Sequence, residues 1–171
     1  MYAEDILSFI IKLKTEYSDK IIIVGGVHAT LEYENCMNKA PIDFIVLGEG
    51  EGTIIELLDA LNDKTELSNV AGIVYRDLLA DMFIKTEIRS PVPIDQLPFP
   101  ARHLFPMQNY FKNKPQYYFM RHPAASLITS RACPFNCVFC STTLFWDKKY
   151  RTRNAKSVVD NAATASKITT L

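Results

Sequence analysis

Residues 20–26 read KIIIVGG, and this stretch decides the fold class. A continuous run of β-branched side chains is typical of a strand that is buried on both faces of a parallel sheet. The glycines that end it, Gly25 and Gly26, predict a tight turn at the carboxyl end of the strand. A second apolar run at residues 43–47, DFIVL, is also followed by glycines. Two strands that end in this way predict an α/β fold with a parallel sheet.

Helical patterns flank the two predicted strands. Thr30 is a favourable N-cap residue, so a short helix is expected to follow it. Thr53 and Glu56 have the spacing of a capping box, which predicts that the helix after the second strand begins at Thr53. Two stripes of apolar residues at helical spacing lie before the first strand and after the second: Ile6, Phe9, Ile10 and Leu13, then Ile54, Leu57, Leu58 and Leu61.

The rest of the chain changes character twice. Residues 72–76 and 82–88 alternate as a hairpin around a polar turn. Five of the nine prolines then fall between residues 90 and 106, which favours an extended connector. A strand is expected at residues 124–130 and a helix from Asn154 onward. We therefore predict three parts, at residues 1–89, 90–122 and 123–171.

Composition narrows the possible partners and the compartment. Lys and Arg together number 19, as do Asp and Glu, so no electrostatic attraction to nucleic acid is indicated. The apolar runs are too short to span a bilayer. Only four cysteines are present and three are clustered, which argues against a secreted disulfide framework. The sequence predicts a cytoplasmic protein with neither a nucleic-acid partner nor a membrane span.

The clustered cysteines are Cys133, Cys137 and Cys140, in the pattern CxxxCxxC. Three thiolates can hold three corners of a 4Fe–4S cluster and leave one iron open for chemistry. A zinc site would need a fourth ligand, for which His122 is a candidate, and three ordinary buried thiols are a further alternative. The cluster is preferred because this spacing on a strand-to-helix loop is rare by chance. The isolated Cys36 is expected to be a small buried hydrophobe.

Other candidate residues lie where the two predicted strands end. Gly25 and Gly26 permit either an ordinary turn or the close approach of a cofactor to the backbone. Gly48 and Glu49 begin the loop after the second strand, where the carboxylate could cap a helix or contact a cofactor. His28 stands at the same edge of the sheet, as a contact residue or as a residue that stabilises the loop. Arg151 and Arg153 are expected on a solvated or ion-paired face.

Residues 130–141, SRACPFNCVFCS, resemble the cluster loop of the radical S-adenosylmethionine superfamily. The resemblance implies that Cys133, Cys137 and Cys140 ligate a 4Fe–4S cluster whose open iron chelates the amino and carboxylate groups of S-adenosylmethionine. It also implies that Phe139 lies along the adenine. Reduction of the sulfonium would then release a 5′-deoxyadenosyl radical. Ala132 stands where this family often has glycine.

The upstream residues resemble the second half of the cobalamin-binding domain that is fused to many of these enzymes. The stretches that resemble this domain are residues 24–30 and 43–51, and residues 97–102 and 146–153 fit the same family of enzymes. The resemblance implies that residues 1–89 belong to a partial Rossmann-like cobalamin-binding sheet. Residues 90–122 would be the proline-rich connector, and residues 123–171 the first βα unit of a partial TIM-like barrel.

The resemblance also implies a reaction. The parent enzyme would methylate a small-molecule substrate, or close a ring oxidatively as in the magnesium-protoporphyrin ester cyclase relatives. It would receive electrons from a donor such as flavodoxin or ferredoxin. Because flanking strands and most of a barrel are not in the sequence, the chain is expected to be a fragment. The alternative is a non-catalytic cofactor-binding module or a truncated, inactive product.

Overall fold

The computed structural model describes residues 2–112, 124–146 and 149–169. The chain forms two compact units, residues 1–91 with 137–147, and residues 92–136 with 148–171. The cysteine loop crosses this division, because Cys133 belongs to the second unit and both Cys137 and Cys140 belong to the first. The three-part division into residues 1–89, 90–122 and 123–171 stays a prediction.

The first unit is built around a four-stranded mixed sheet in the order β1-β2-β3-β4. Strands β1 and β2 are parallel, with Ile23 opposite Phe44, and β3 and β4 form an antiparallel hairpin beside β2. The α/β class, the parallel pair and the hairpin were all predicted and are confirmed. The elements are α1 Tyr2–Glu16, β1 Ile23–Gly25, α2 Val27–Leu31, α3 Tyr33–Lys39, β2 Phe44–Val46, α4 Gly50–Asp63, β3 Ile73–Asp77 and β4 Met82–Lys85.

Strand β2 is buried on both faces, as its sequence predicts. Ile45 packs into one apolar cluster with Leu7 and Ile10 of α1. Phe44 and Val46 point to the other face and join a second cluster with Leu57 of α4. The sheet is therefore covered by helices on both sides at β2. Strand β1 is an edge strand and is only partly buried, so the prediction that it is buried on both faces is wrong.

The buried face of α1 differs from the predicted stripe. Leu7 and Ile10 are buried, whereas Ile6 and Phe9 are more than half exposed. Spacing alone could not separate these faces, because apolar residues occupy both sides of this helix. The helix therefore buries a narrower face than the sequence pattern indicated.

Both predicted helix starts are wrong. Helix α2 begins at Val27 with Gly26 as its N-cap, so Thr30 lies inside the helix. Its hydroxyl instead accepts the backbone N–H of Gly48 at 3.0 Å. Helix α4 begins at Gly50, and Thr53 lies in its first turn, fully buried. The glycine turns start each helix directly, so these threonines are free to make long-range bonds.

The second unit contains β5 Ser130–Arg131, which pairs antiparallel with β6 Arg151–Thr152. Of the strand predicted at residues 124–130, only its last residue lies in β5. Its helices are α5 Met107–Lys112 and α7 Ala155–Thr169, and α6 Thr142–Phe145 belongs to the first unit. Residues 113–122 of the connector lie outside the described residues. Within the described ranges, no helix is long and apolar enough to cross a bilayer.

Within the second unit, arginines bind the main chain of the proline-rich segment. Arg151 donates to the carbonyl of Val92 at 3.1 Å, and Arg153 donates to that of Leu97 at 3.2 Å. Arg102 is buried and donates to Asn161 and to a main-chain carbonyl. Beyond the expected solvated or ion-paired face, Arg151 and Arg153 thus have main-chain partners, because carbonyls outside regular structure need donors that the guanidinium fork supplies.

Ala132, directly before Cys133, adopts a left-handed backbone conformation with φ of 66°. A residue with a Cβ is destabilised by about 1–2 kcal/mol in this conformation. Glycine avoids that cost, but part of the gain is lost because glycine has more conformational freedom in the unfolded chain. Ala132→Gly is therefore expected to raise the free energy of unfolding by about 0.5–1 kcal/mol, measured by urea titration. Ala125→Gly, at a residue outside that region, is the control and should lower stability by about 0.5–1 kcal/mol. A loss of stability in Ala132→Gly would contradict the argument.

Candidate cofactor site

The carboxyl ends of β1 and β2 lie side by side, and each is followed by glycine. Gly26 has φ 94° and ψ 179°, a conformation that is essentially restricted to glycine. Gly48 is left-handed, with φ of 64°. A Cβ on either glycine would meet no atom within 4 Å, so the backbone is open at both positions. A Cβ on Gly25, by contrast, would lie 3.4 Å from the Val46 carbonyl, so Gly25 packs against β2.

A cavity of about 530 Å³ lies at this edge of the sheet, within the first unit. It is lined by α2, the loop after β2, the segment after β4 and the helix that follows the cysteines. Gly48 and Glu49 are among its lining residues, as predicted for cofactor contacts. The lining set does not include Gly25 or Gly26, which precede α2, or His28, which lies in its first turn. The structure thus brings together one of the two predicted glycine loops and the cavity.

Two cations line the cavity, and the sequence reasoning missed both. The Lys85 ammonium lies 5.0 Å from the ring centroid of Tyr33, which also lines the cavity. The Arg89 guanidinium forms an ion pair with Glu56 and donates from Nε to the Thr53 hydroxyl at 2.8 Å. The sequence contains only a weak signal for these two residues. They are a lysine and an arginine that lie four residues apart at the end of the hairpin.

The second half of the cysteine loop belongs to the same unit as the cavity. The Cys140 N–H donates to the Cys137 carbonyl at 3.1 Å and closes a tight turn. Helix α6 follows at once and contacts α2. Its residues Leu144 and Phe145 line the cavity. Phe139, at the tip of the turn, is 89% exposed, so its ring is available to a ligand.

The cysteines differ in exposure and in acidity. Cys133, Cys137 and Cys140 are free thiols that are partly or fully exposed, while Cys36 is buried at 2% exposure, as predicted. Hydrogen bonds from the Thr142 hydroxyl and backbone lower the pKa of Cys140. Burial raises the pKa of Cys36. Because thiolates are the ligands of iron, the three loop thiols fit a three-thiolate cluster and Cys36 does not.

No preformed metal centre is visible in the described ranges. Across residues 2–112, 124–146 and 149–169, no three side chains of His, Cys, Asp or Glu are grouped closely enough to hold a metal ion. His122, the candidate fourth ligand of a zinc site, lies outside the described residues. The choice between an iron–sulfur cluster and zinc therefore depends on the type of ligand that the loop offers, which is three cysteine thiols.

No protein-family model matches the sequence. An uncharacterised methyltransferase of Pyrococcus horikoshii is 35% identical, over 81% of this chain and 29% of the relative. Cytidylyl-2-hydroxyethylphosphonate methyltransferase of Streptomyces wedmorensis is 32% identical, over 83% and 31%. Anaerobic magnesium-protoporphyrin IX monomethyl ester cyclase of Rubrivivax gelatinosus is 32% identical, over 83% and 25%.

Solved structures agree with these relatives. The radical S-adenosylmethionine methyltransferase TsrM of Kitasatospora setae superposes with a TM-score of 0.73 at 17% identity, over 98% of this chain and 32% of that chain. The cobalamin-dependent S-adenosylmethionine radical enzyme OxsB, with aqua-cobalamin and S-adenosylmethionine bound, gives 0.70 at 25% identity, over 97% and 22%.

The chain belongs to the cobalamin-dependent radical S-adenosylmethionine family. The resemblance predicted from the cysteine loop and the glycine-ended strands is therefore confirmed. The chain spans between about a fifth and a third of the length of the relatives and structures that it matches.

Proposed function

We propose that this chain forms part of a radical S-adenosylmethionine enzyme that uses a 4Fe–4S cluster and cobalamin to methylate or oxidatively cyclise a small molecule. One observation carries the proposal. The turn from Cys137 to Cys140 leads into α6, and α6 lines a cavity at the carboxyl ends of β1 and β2. Ligands bind at this edge in open α/β sheets, so the cobalamin site and two of the three cluster ligands, Cys137 and Cys140, would lie in one compact unit.

Cys133, Cys137 and Cys140 would hold the cluster through three thiolates. When bound, the cluster would supply the electron that cleaves S-adenosylmethionine at its sulfonium. The exposed ring of Phe139 would stack on the adenine and position the nucleoside. Thr142 would keep Cys140 in its thiolate form by donating to the sulfur.

The cavity would receive one edge of the cobalamin, since about 530 Å³ is the size of a site for a drug-sized ligand. The Gly48 turn would let the corrin approach the backbone, and Lys85 and Arg89 would face its phosphodiester. Gly25, Gly26, His28 and Glu49 remain proposed contacts. When bound, cobalamin would supply the methyl group. We further propose a cytoplasmic setting with a flavodoxin or ferredoxin as the electron donor.

Anaerobic reconstitution of the chain with iron and sulfide tests the proposal. We expect about four irons per chain and an EPR signal of the reduced cluster that changes when S-adenosylmethionine is added. Added hydroxocobalamin should show a binding-linked shift in its absorbance. Zinc in anaerobically purified protein, or an EPR signal that S-adenosylmethionine leaves unchanged, would contradict the enzyme proposal. Cobalamin binding without a cluster would instead identify a cofactor-binding module.

A further inference from the structure

The sulfur of Cys140 has a hydrogen-bonding partner two residues further along the chain. Cys140 Sγ lies 3.0 Å from Thr142 Oγ1, and the contact is half-buried. Thr142 is the first residue of α6, so its hydroxyl lies beside the sulfur where that helix begins.

The direction of this bond is fixed once the sulfur binds iron. A free thiol can donate its own proton to the hydroxyl oxygen, but a ligating thiolate has no proton and can only accept. The hydroxyl hydrogen turns freely about the C–O bond, so Thr142 can donate instead. Elsewhere in the described part of the chain, this hydroxyl has no other hydrogen-bond partner.

The contact also distinguishes Cys140 from the other loop cysteines. In the ranges that the structure describes, neither Cys133 nor Cys137 has a side-chain hydrogen-bond donor at its sulfur. Reduction of a cluster adds negative charge that is shared with the ligand sulfurs. A donor at a sulfur therefore stabilises the reduced form more than the oxidised form and raises the reduction potential.

We propose that Thr142 is a positioning and tuning residue that raises the reduction potential of the cluster by donating its hydroxyl proton to Cys140 Sγ. This inference rests on the proposed function, because it requires a cluster on the cysteine loop. It assigns to Thr142 a part in setting how readily the cluster accepts an electron before S-adenosylmethionine is cleaved.

Thr142→Val removes the donor and keeps the shape of the side chain. We expect the reconstituted cluster to become harder to reduce, with the ratio of reduced to oxidised cluster several-fold to tenfold lower at the wild-type midpoint. A tenfold fall corresponds to a shift of about −59 mV for a one-electron couple. The measurement is an EPR-monitored redox titration of the full chain.

The chain supplies a matched control. Thr143 is the next residue of the same short helix and is also partly exposed. Thr143→Val and the donor-retaining Thr142→Ser should both keep the wild-type midpoint. If Thr142→Val does not retain a cluster, Thr142→Ala removes the hydroxyl without the branched methyl group and takes its place.

The outcomes separate this inference from the proposed function. A wild-type midpoint in Thr142→Val, with normal iron content, would overturn the role of Thr142 and leave the proposed function intact. An equal shift in Thr143→Val would also overturn it, because the effect would then come from the helix. A wild-type chain that assembles no cluster would overturn both.

Discussion

Cys137→Ala is expected to abolish assembly of the iron–sulfur cluster. Three thiolates are needed to hold a cube that has one open iron, and two would leave half of the irons without a protein ligand. Because Cys137 is exposed, its loss should change the free energy of unfolding by less than about 0.5 kcal/mol. The measurement is iron and sulfide content after anaerobic reconstitution, together with the EPR spectrum of the reduced protein.

Cys36→Ala is the matched control for this experiment. Cys36 is buried among apolar side chains, and burial raises the pKa of its thiol, so it has no part in ligation. The variant should bind iron as the wild type does and lose about 1 kcal/mol of stability through the smaller side chain. Cluster assembly in Cys137→Ala with undiminished iron content, or loss of iron in Cys36→Ala, would exclude the predicted ligand set.

The two parallel strands were predictable from their β-branched and apolar composition, but only β2 is buried on both faces, because β1 lies at the edge of the sheet and is partly buried. Their lengths were not predictable, since the predicted runs at residues 20–24 and 43–47 shorten to three residues each. The Asp43 carboxylate accepts the Ile22 N–H at 2.7 Å, so a side chain replaces the backbone partner and ends the ladder. A local pattern contains no information about a bond across 21 residues.

The parts of the site that depend on residues close together in the sequence were predictable. The cysteine loop and the glycine turns could be found because their residue types and intervals are specific. Lys85 and Arg89 could not, because only the fold brings the end of the hairpin to the loop at Gly48. Thr53 shows the same limit. Its hydroxyl donates to the Ala71 carbonyl at 3.2 Å and accepts from Arg89. The capping-box spacing had instead predicted that this side chain begins a helix.

Leu57→Ala is expected to destabilise the first unit strongly. Leu57 has no exposed surface and packs between α4 and the sheet with Phe44, Val46 and Ile73. Removing a fully buried leucine side chain costs about 2–5 kcal/mol, because the lost apolar burial is added to the energy of the cavity that remains. This is a large share of the roughly 5–15 kcal/mol that holds a typical domain folded. Equilibrium unfolding in urea measures the loss as a lower midpoint.

The neighbouring Leu58 provides the control, because it lies on the same helix and is 52% exposed. Both leucines belong to one apolar stripe in the sequence, and only the fold distinguishes them. Leu58→Ala should cost less than about 1 kcal/mol, because half of its surface already contacts water. Equal losses in the two variants would mean that α4 packs with a different face toward the sheet. The glycine-ended edge at Gly48 would then be formed by a different arrangement, so this pair of variants also tests the framework of the cofactor site.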